Sequence, residues 1–105
     1  MDYSDEPIGD ALLLQAARDG STAAFGILYA RHVTFAVGVA QRALSPADIS
    51  MAEDVAEVSF IRVLTALRNG KGPVDTLLPY LATTVRREAW RSERRRLIDL
   101  ALIPR

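Results

Sequence analysis

The residues best suited to chemistry in this sequence are six arginines that lie close together near its C-terminal end. Between Arg86 and Arg96 they stand with two glutamates, which gives a local charge of +4. Guanidinium groups contact phosphates and aromatic rings stack on unpaired bases, so arginines interleaved with Tyr, Thr and Trp favour a single-stranded nucleic acid. The candidate binding residues begin a little before the arginines and are Tyr80, Thr83, Thr84, Arg87, Trp90, Arg91, Arg94 and Arg95.

These residues also have a structural interpretation. Exposed arginines near the C-terminal end of a helix are often a solvated face that the helix dipole stabilises. Six arginines together with two exposed aromatic residues favour strand binding over that alternative. For Trp90, a place in the core or at its rim fits the sequence as well as a stacking role does.

Three acids, Glu53, Asp54 and Glu57, form a second cluster with potential chemistry. They could hold Mg²⁺, but Ser50 and Glu53 also match a capping box, which explains acids at the start of a helix without a metal. The single histidine, His32, lies on an apolar stripe without cysteine or an obvious acid pair, so we expect a packed structural residue. With no glycine-rich phosphate loop and no nucleophile beside a base, we predict no enzyme activity, no metal site and no cofactor.

Every strong hydrophobic periodicity in the chain is helical, which predicts an all-α fold. We expect a compact bundle of three principal helices with a short helix at the front. Gly26 and Gly38 weaken the second helix locally, and we expect a neighbouring helix to pack closely there. The predicted helices are a short one capped by Asp10 and ended by Gly20, a second from Ser21 or Thr22 to about Leu44, a third from Ser50 to Arg68, and a fourth from Thr76 to about Arg96.

The third predicted helix carries two lines of residues at helical spacing. One is the apolar stripe that a helix buries in a core, formed by Ala56, Phe60, Val63, Leu64 and Leu67. The other mixes apolar and charged groups, as protein interfaces do, although a helix packed on two sides gives the same pattern. The candidate partner-binding residues on this second face are Asp54, Glu57, Val58, Ile61, Arg62 and Thr65.

Charge is divided unevenly along the chain. Residues 1–57 carry nine acids and three bases, a net charge of −6, whereas residues 58–105 carry four acids and ten bases, a net charge of +6. This asymmetry favours a polyanion as partner of the second half. We expect a disordered lead-in over 1–9, a helical domain over 10–98 and a tail over 99–105. No apolar run approaches the roughly 20 residues of a membrane span, and no signal peptide is evident, so we expect a cytoplasmic protein without a membrane partner.

The order of these elements resembles region 2 of bacterial RNA polymerase sigma factors, in particular the small extracytoplasmic-function (ECF) type. In that family the middle helix docks on the clamp helices of the polymerase β′ subunit, and the following loop and last helix hold the opened non-template strand of the promoter −10 element. The resemblance therefore adds Asn69 and Lys71 of the loop to the candidate DNA-binding residues. The stretches that carry it are LLLQAARDGSTAAFGILYARH, AEDVAEVSFIRVLTALR, LLPYLATTVRREA and RSERRR.

The chain departs from the usual pattern of that family at several positions. Members usually have Gln followed by an acid where this chain has Glu57 and Val58, Asn at Arg87, and Trp at Tyr80. These differences bear on polymerase affinity and base preference more than on the fold. Sigma factors also have a C-terminal helix-turn-helix domain, region 4, so we expect either an excised N-terminal domain whose residues 99–105 begin a linker or a stand-alone relative.

Two functions follow from the resemblance. The first is a transcription initiation module, cytoplasmic and nucleoid-associated, that binds core RNA polymerase and recognises and melts the −10 element. The alternative is a sigma-like protein-interaction domain, regulatory or bound to an anti-sigma factor, with little DNA binding of its own. A helix-turn-helix that binds duplex DNA ranks third, because the chain lacks a short helix, a tight turn and a second helix of suitable length.

Overall fold

The computed structural model describes residues 8–104, in which every regular element is helical. The all-α prediction is confirmed, as is the expected arrangement of three long helices behind a short one. The predicted disordered lead-in over 1–9 lies largely outside the described residues. The elements are the α-helices Asp10–Arg18 (α1), Thr22–Ala43 (α2), Ala52–Arg68 (α3) and Leu78–Ala101 (α4), with a 3₁₀ helix over Pro46–Met51 between α2 and α3.

The core lies where α2, α3 and α4 pack on one another, and α1 covers one end of α2 and α3. Phe60 of α3 is buried there, and its ring meets Phe25 and Tyr29 of α2 edge to face, with ring centroids 6.2 and 4.9 Å apart. The predicted stripe of α3 is buried except for Leu64, which is half-buried. Aromatic pairs of this geometry add to the free energy gained from apolar burial.

The capping box predicted at the start of α3 does not form. α3 begins at Ala52, its N-cap Met51 has no side-chain capping hydrogen bond, and Ser50 lies within the 3₁₀ helix instead of before it. Asp48 explains this difference. Asp48 lies within the 3₁₀ helix, and its buried carboxylate forms an ion pair with Arg96 of α4. This tertiary contact favours the 3₁₀ conformation of the turn before α3.

Asp10 was also expected to cap its own helix, but it is the first residue of α1 and makes no capping bond. Its carboxylate binds α2 instead. Arg31 Nη1 donates to Asp10 Oδ1 at 3.0 Å, and His32 Nε2 lies 2.7 Å from Asp10 Oδ2. The sequence did not reveal Asp10 as the partner of His32, because this single acid comes from a different helix. This cluster joins the start of α1 to the middle of α2 and supports a structural role for His32.

α4 differs from its predicted span at both ends. It begins at Leu78, so Thr76 is not its N-cap, and Pro79 occupies the second helical position, where a missing N–H breaks no helical bond. At the other end it continues to Ala101, beyond the predicted end near Arg96. This last part of the helix and the residues after it expose large aliphatic side chains, namely Leu97, Ile98, Leu100, Leu102 and Ile103.

The two glycines of α2 do not have the surroundings that the sequence predicted. No helix packs closely on Gly26 or Gly38: a Cβ at Gly26 would meet nothing within 4 Å, and at Gly38 only Arg42 at 3.9 Å.

Within residues 8–104, α2 is the one helix long and apolar enough to cross a membrane by length and composition alone. It packs against α1, α3 and α4 and carries the paired Arg31 and His32, which favours a core helix of the bundle.

Candidate nucleic-acid and protein interface

Five of the eight candidate strand-binding residues on α4 share one face of that helix. They recur at offsets of 0, 4, 7, 11 and 14 residues, which places them along one side of a helix. The opposite side buries Leu81, Val85 and Ala89 in the core. Thr83, Trp90 and Arg95 flank the exposed line. Its members are Tyr80, Thr84, Arg87, Arg91 and Arg94.

Trp90 lies at the surface, with 60% of the residue exposed. This exposure excludes the core position that the sequence left open. The guanidinium carbon of Arg94 lies 5.2 Å from the centroid of the indole ring, a cation–π arrangement. Arg94 therefore covers one part of the ring, and the exposed remainder is available for stacking on a base.

The two threonines of this face use their hydroxyl protons within the helix. Thr83 Oγ1 donates to the carbonyl of Pro79 at 3.1 Å, and Thr84 Oγ1 donates to the carbonyl of Tyr80 at 2.9 Å. A hydroxyl bonded in this way still has free lone pairs. Towards a ligand these side chains can therefore accept hydrogen bonds or present methyl groups.

Glu88 is a buried acid of α4 that was not among the sequence-predicted site residues. The residue is 1% exposed, and its Oε2 accepts from Arg62 Nε at 2.9 Å while its Oε1 accepts from Arg95 Nη2 at 3.2 Å. Arg91 Nη1 lies 3.8 Å from Oε2. A buried carboxylate is costly unless it is paired and hydrogen-bonded, and these arginines meet that need. The sequence did carry a signal for this position: Glu88 lies seven residues after buried Leu81, and this spacing puts Glu88 on the inward side of α4.

The pairing with Glu88 divides the candidate arginines into two groups. Arg62, Arg91 and Arg95 share one carboxylate, so part of their positive charge is neutralised within the fold. Within residues 8–104, neither Arg87 nor Arg94 has a carboxylate partner. The exposed positive charge of this face is therefore concentrated on those two residues.

The loop after α3 carries the other two candidate DNA-binding residues, Asn69 and Lys71, both exposed. Its backbone closes in a Schellman motif: Lys71 N–H donates to the carbonyl of Ala66 at 2.8 Å, and Gly70 N–H to that of Leu67 at 3.0 Å. Gly70 has a φ of +73°, the conformation this motif requires. The turn that presents Asn69 and Lys71 is thus fixed to the end of α3.

Arg18 of α1, which was not a candidate from the sequence, holds the same loop from its other side. Its Nη2 donates to the carbonyl of Lys71 at 3.1 Å and to that of Pro73 at 2.8 Å. Between these carbonyls lies Gly72, with a φ of +84°, where a Cβ would be 3.4 Å from the Cβ of Ala66. Close approach to α3 and the positive φ both favour glycine at this position.

The candidate protein-binding residues of α3 line two depressions, and all of them except the half-buried Val58 are exposed. Asp54 and Glu57 line the first, of about 600 Å³, together with Glu53. This depression runs between α2 and α3, so it has an acidic side and a side formed by α2. The α2 residues that line it, none of them a candidate from the sequence, are Tyr29, Val33, Thr34, Val37, Gly38 and Gln41.

The second depression, of about 470 Å³, is lined by Ile61, which is 55% exposed. It continues along α3 to the loop, so it joins candidate residues of the two kinds. Val58, Arg62 and Thr65 come from the protein-binding set. Asn69 and Lys71 come from the strand-binding set. Among the described residues, no group of three or more His, Cys, Asp or Glu side chains is arranged to hold a metal ion.

Comparison with known proteins found one family. The model of sigma-70 region 2 matches residues 28–96, from the first half of α2 to the last third of α4. The match includes every candidate binding residue on α3, on the loop and on α4. Comparisons with curated proteins and with solved structures gave no match.

Proposed function

Because this chain belongs to the sigma-70 region 2 family, we propose that it is the region 2 domain of a sigma factor of the ECF type, acting in the cytoplasm at the nucleoid. The family accounts for a role in RNA polymerase binding and promoter recognition during transcription initiation. The ECF assignment is supported by the four stretches of sequence that resemble that type. The family consists of initiation factors, and we propose no enzyme activity, no metal site and no cofactor.

We further propose that the loop and α4 hold the opened non-template strand of the promoter −10 element and so favour its melting. The observation that carries this proposal is the face of α4 on which exposed Tyr80 and Trp90 accompany Arg87 and Arg94, two arginines that pair with no carboxylate of residues 8–104. Stacking contributes about 1–3 kcal/mol per base, and arginines contribute a sequence-independent attraction to phosphates. A surface with both features gains more from unpaired bases than from a closed duplex.

Salt dependence separates the two contributions. Affinity for a short fluorescent single strand would be measured by anisotropy at several low salt concentrations, with the duplex of the same sequence as control. Arg87→Gln together with Arg94→Gln should make the slope of log K against log salt shallower by about 1.4, since each phosphate contact contributes about 0.7. Arg86→Gln, on another face of α4, should leave the slope nearly unchanged.

Stacking would be tested with Tyr80→Leu, which keeps apolar volume but removes the aromatic face. We expect affinity to fall at least about fivefold at every salt concentration, with the slope unchanged. Tighter binding to the duplex than to the single strand, or an unchanged slope in the double arginine variant, would contradict strand binding on this face.

We propose that the second face of α3 binds the clamp helices of the β′ subunit. Ile61 is a large exposed apolar side chain in the depression that has two basic residues, and α3 also lines the acidic depression, as in an interface core with a charged rim. Ile61→Ala with Asp54→Ala should weaken binding to an isolated clamp fragment by tenfold or more, on the order of 2 kcal/mol for a central anchor. Ile49→Ala, which truncates an exposed isoleucine of the 3₁₀ helix, is the matched control. If the double variant and Ile49→Ala bind the clamp fragment equally well and both keep their helicity, the assignment is contradicted.

The alternative function is a sigma-like protein-interaction domain, regulatory or bound by an anti-sigma factor, with little DNA binding of its own. It draws support from Glu88, which neutralises part of the charge of three arginines near the proposed DNA face. The salt titration distinguishes the two functions. Retained clamp binding without measurable single-strand binding would favour the alternative.

A further inference from the structure

The loop between α3 and α4 is fixed in its first half and open in its second. Backbone bonds close the turn after Asn69, Gly72 lies against α3, and Pro73 is buried. Val74 is exposed, as are the two residues that follow it. The fixed half therefore carries Asn69 and Lys71, the two loop residues proposed to meet the DNA strand.

Arg18 reaches this fixed half from α1, a helix without any candidate binding residue. The contact is tertiary, because Arg18 lies 53 residues before Lys71 and 55 before Pro73 in the chain. Its Nη2 group has two protons and uses them on the two carbonyls. These bonds lie on either side of Gly72, the residue at which a backbone without a side chain is freest to change conformation. The guanidinium thereby fixes the loop on both sides of Gly72.

We propose that Arg18 is a positioning residue for strand binding, which holds the loop in the conformation that presents Asn69 and Lys71 to an unpaired base. This inference rests on the proposed function. In this role Arg18 acts on the strand through the loop. Both Nη2 protons are already used within the fold, and the residue is half-buried against the loop.

Loss of Arg18 adds a cost of ordering the loop to the cost of binding. Arg18→Gln should therefore weaken binding of a base-carrying strand about five- to tenfold without a change in salt slope. Arg18→Lys keeps the charge but replaces the planar guanidinium with a single ammonium group. Positioning predicts that lysine fails to restore binding, whereas a phosphate contact by Arg18 predicts that lysine restores it.

The experiment uses two fluorescein-labelled strands of about 12 nucleotides, one of mixed sequence and one abasic with the same phosphates. The proteins are the 105-residue chain, Arg18→Gln, Arg18→Lys, and Arg42→Gln as a matched loss of an exposed arginine. Backbone amide exchange of residues 70–72 is measured in each protein without DNA, which reports the order of the loop directly.

The expected result is weaker binding of the mixed strand by both Arg18 variants, unchanged binding of the abasic strand, faster exchange at residues 70–72, and no effect of Arg42→Gln. An equal loss on both strands, or a slope shallower by about 0.7, would show a phosphate contact and overturn the inference. If folded Arg18→Gln binds the mixed strand with unchanged affinity and shows unchanged amide exchange, the inference is wrong, while the proposed function is unaffected. If the unchanged chain binds neither strand, the proposed function fails and the inference falls with it.

Discussion

Arg62 is expected to matter for folding before it matters for any partner. It donates at 2.9 Å to Glu88 Oε2, the one guanidinium nitrogen within hydrogen-bonding distance of that oxygen in the described residues. Arg62→Met keeps much of the aliphatic side chain and removes the guanidinium. The buried oxygen then loses its donor, which costs about 1–3 kcal/mol.

The contacts around Glu88 narrow the expected loss of stability within this range. The upper limit for breaking a fully buried ion pair, about 3–5 kcal/mol, does not apply, because Arg95 stays bonded to Oε1 and Arg91 lies within 4 Å of Oε2. The Arg62 side chain is itself 47% exposed, so its Coulomb attraction is partly screened. We therefore expect the free energy of unfolding to fall by about 2 kcal/mol, which lowers the midpoint by about 8–16 °C in a domain of this size.

Urea and thermal unfolding followed by far-UV circular dichroism measure this change, provided that the two transitions coincide. Arg87→Met is the control, because it removes an arginine that has no carboxylate partner among the described residues, and it should stay within about 0.5 kcal/mol of the unchanged chain. In the double variant Arg62→Met with Glu88→Met, no buried charge is left without its donor, so it should be more stable than Arg62→Met alone. A loss below about 0.5 kcal/mol in Arg62→Met, or additive losses in the double variant, would refute this account of Glu88.

Three further changes in stability can be measured in the same way. Gly72→Ala should destabilise the fold by about 1–2 kcal/mol, because φ is +84° and the added Cβ would be 3.4 Å from α3 side chains; an unchanged urea midpoint would contradict this. Gly26→Ala should stabilise it by about 0.5–1 kcal/mol, because the residue is helical and the added methyl meets nothing within 4 Å; a lower midpoint would reveal a contact there. Phe60→Ala should cost about 3–5 kcal/mol through the cavity left beside Phe25 and Tyr29, and a loss below about 1 kcal/mol would mean that the core collapses around it.

Elements with a strong helical period were predictable from the sequence, because burial against a core imposes that period on the residues themselves. The stripe of α3 through Phe60 and Leu67 is an example. Helix starts were less predictable, because a capping side chain has a choice of partners. Asp10 has the residue type of an N-cap, yet Arg31 and His32 compete for its carboxylate and lie far along the chain.

The candidate site shows the same division between local and tertiary information. The exposed face with Arg87 and Arg94 follows from spacing and composition within one helix. The pairing of Glu88 with Arg62 does not, because it depends on the rotation of α3 against α4. Arg18 has no local signal for a role at the loop, since hydrogen bonds to backbone carbonyls leave no pattern in the sequence.

The straight line of side chains on α4 also sets a length. Tyr80 and Arg94 are separated by 14 residues, which at 1.5 Å per residue corresponds to about 21 Å along the axis. Along a base-stacked strand the rise is about 3.4 Å per nucleotide, so this length spans at most about six nucleotides, and fewer where the strand is extended. An unbroken helix cannot lengthen or shorten to suit its ligand. The helix itself therefore sets an upper limit on the number of nucleotides that this face can cover, whatever their bases.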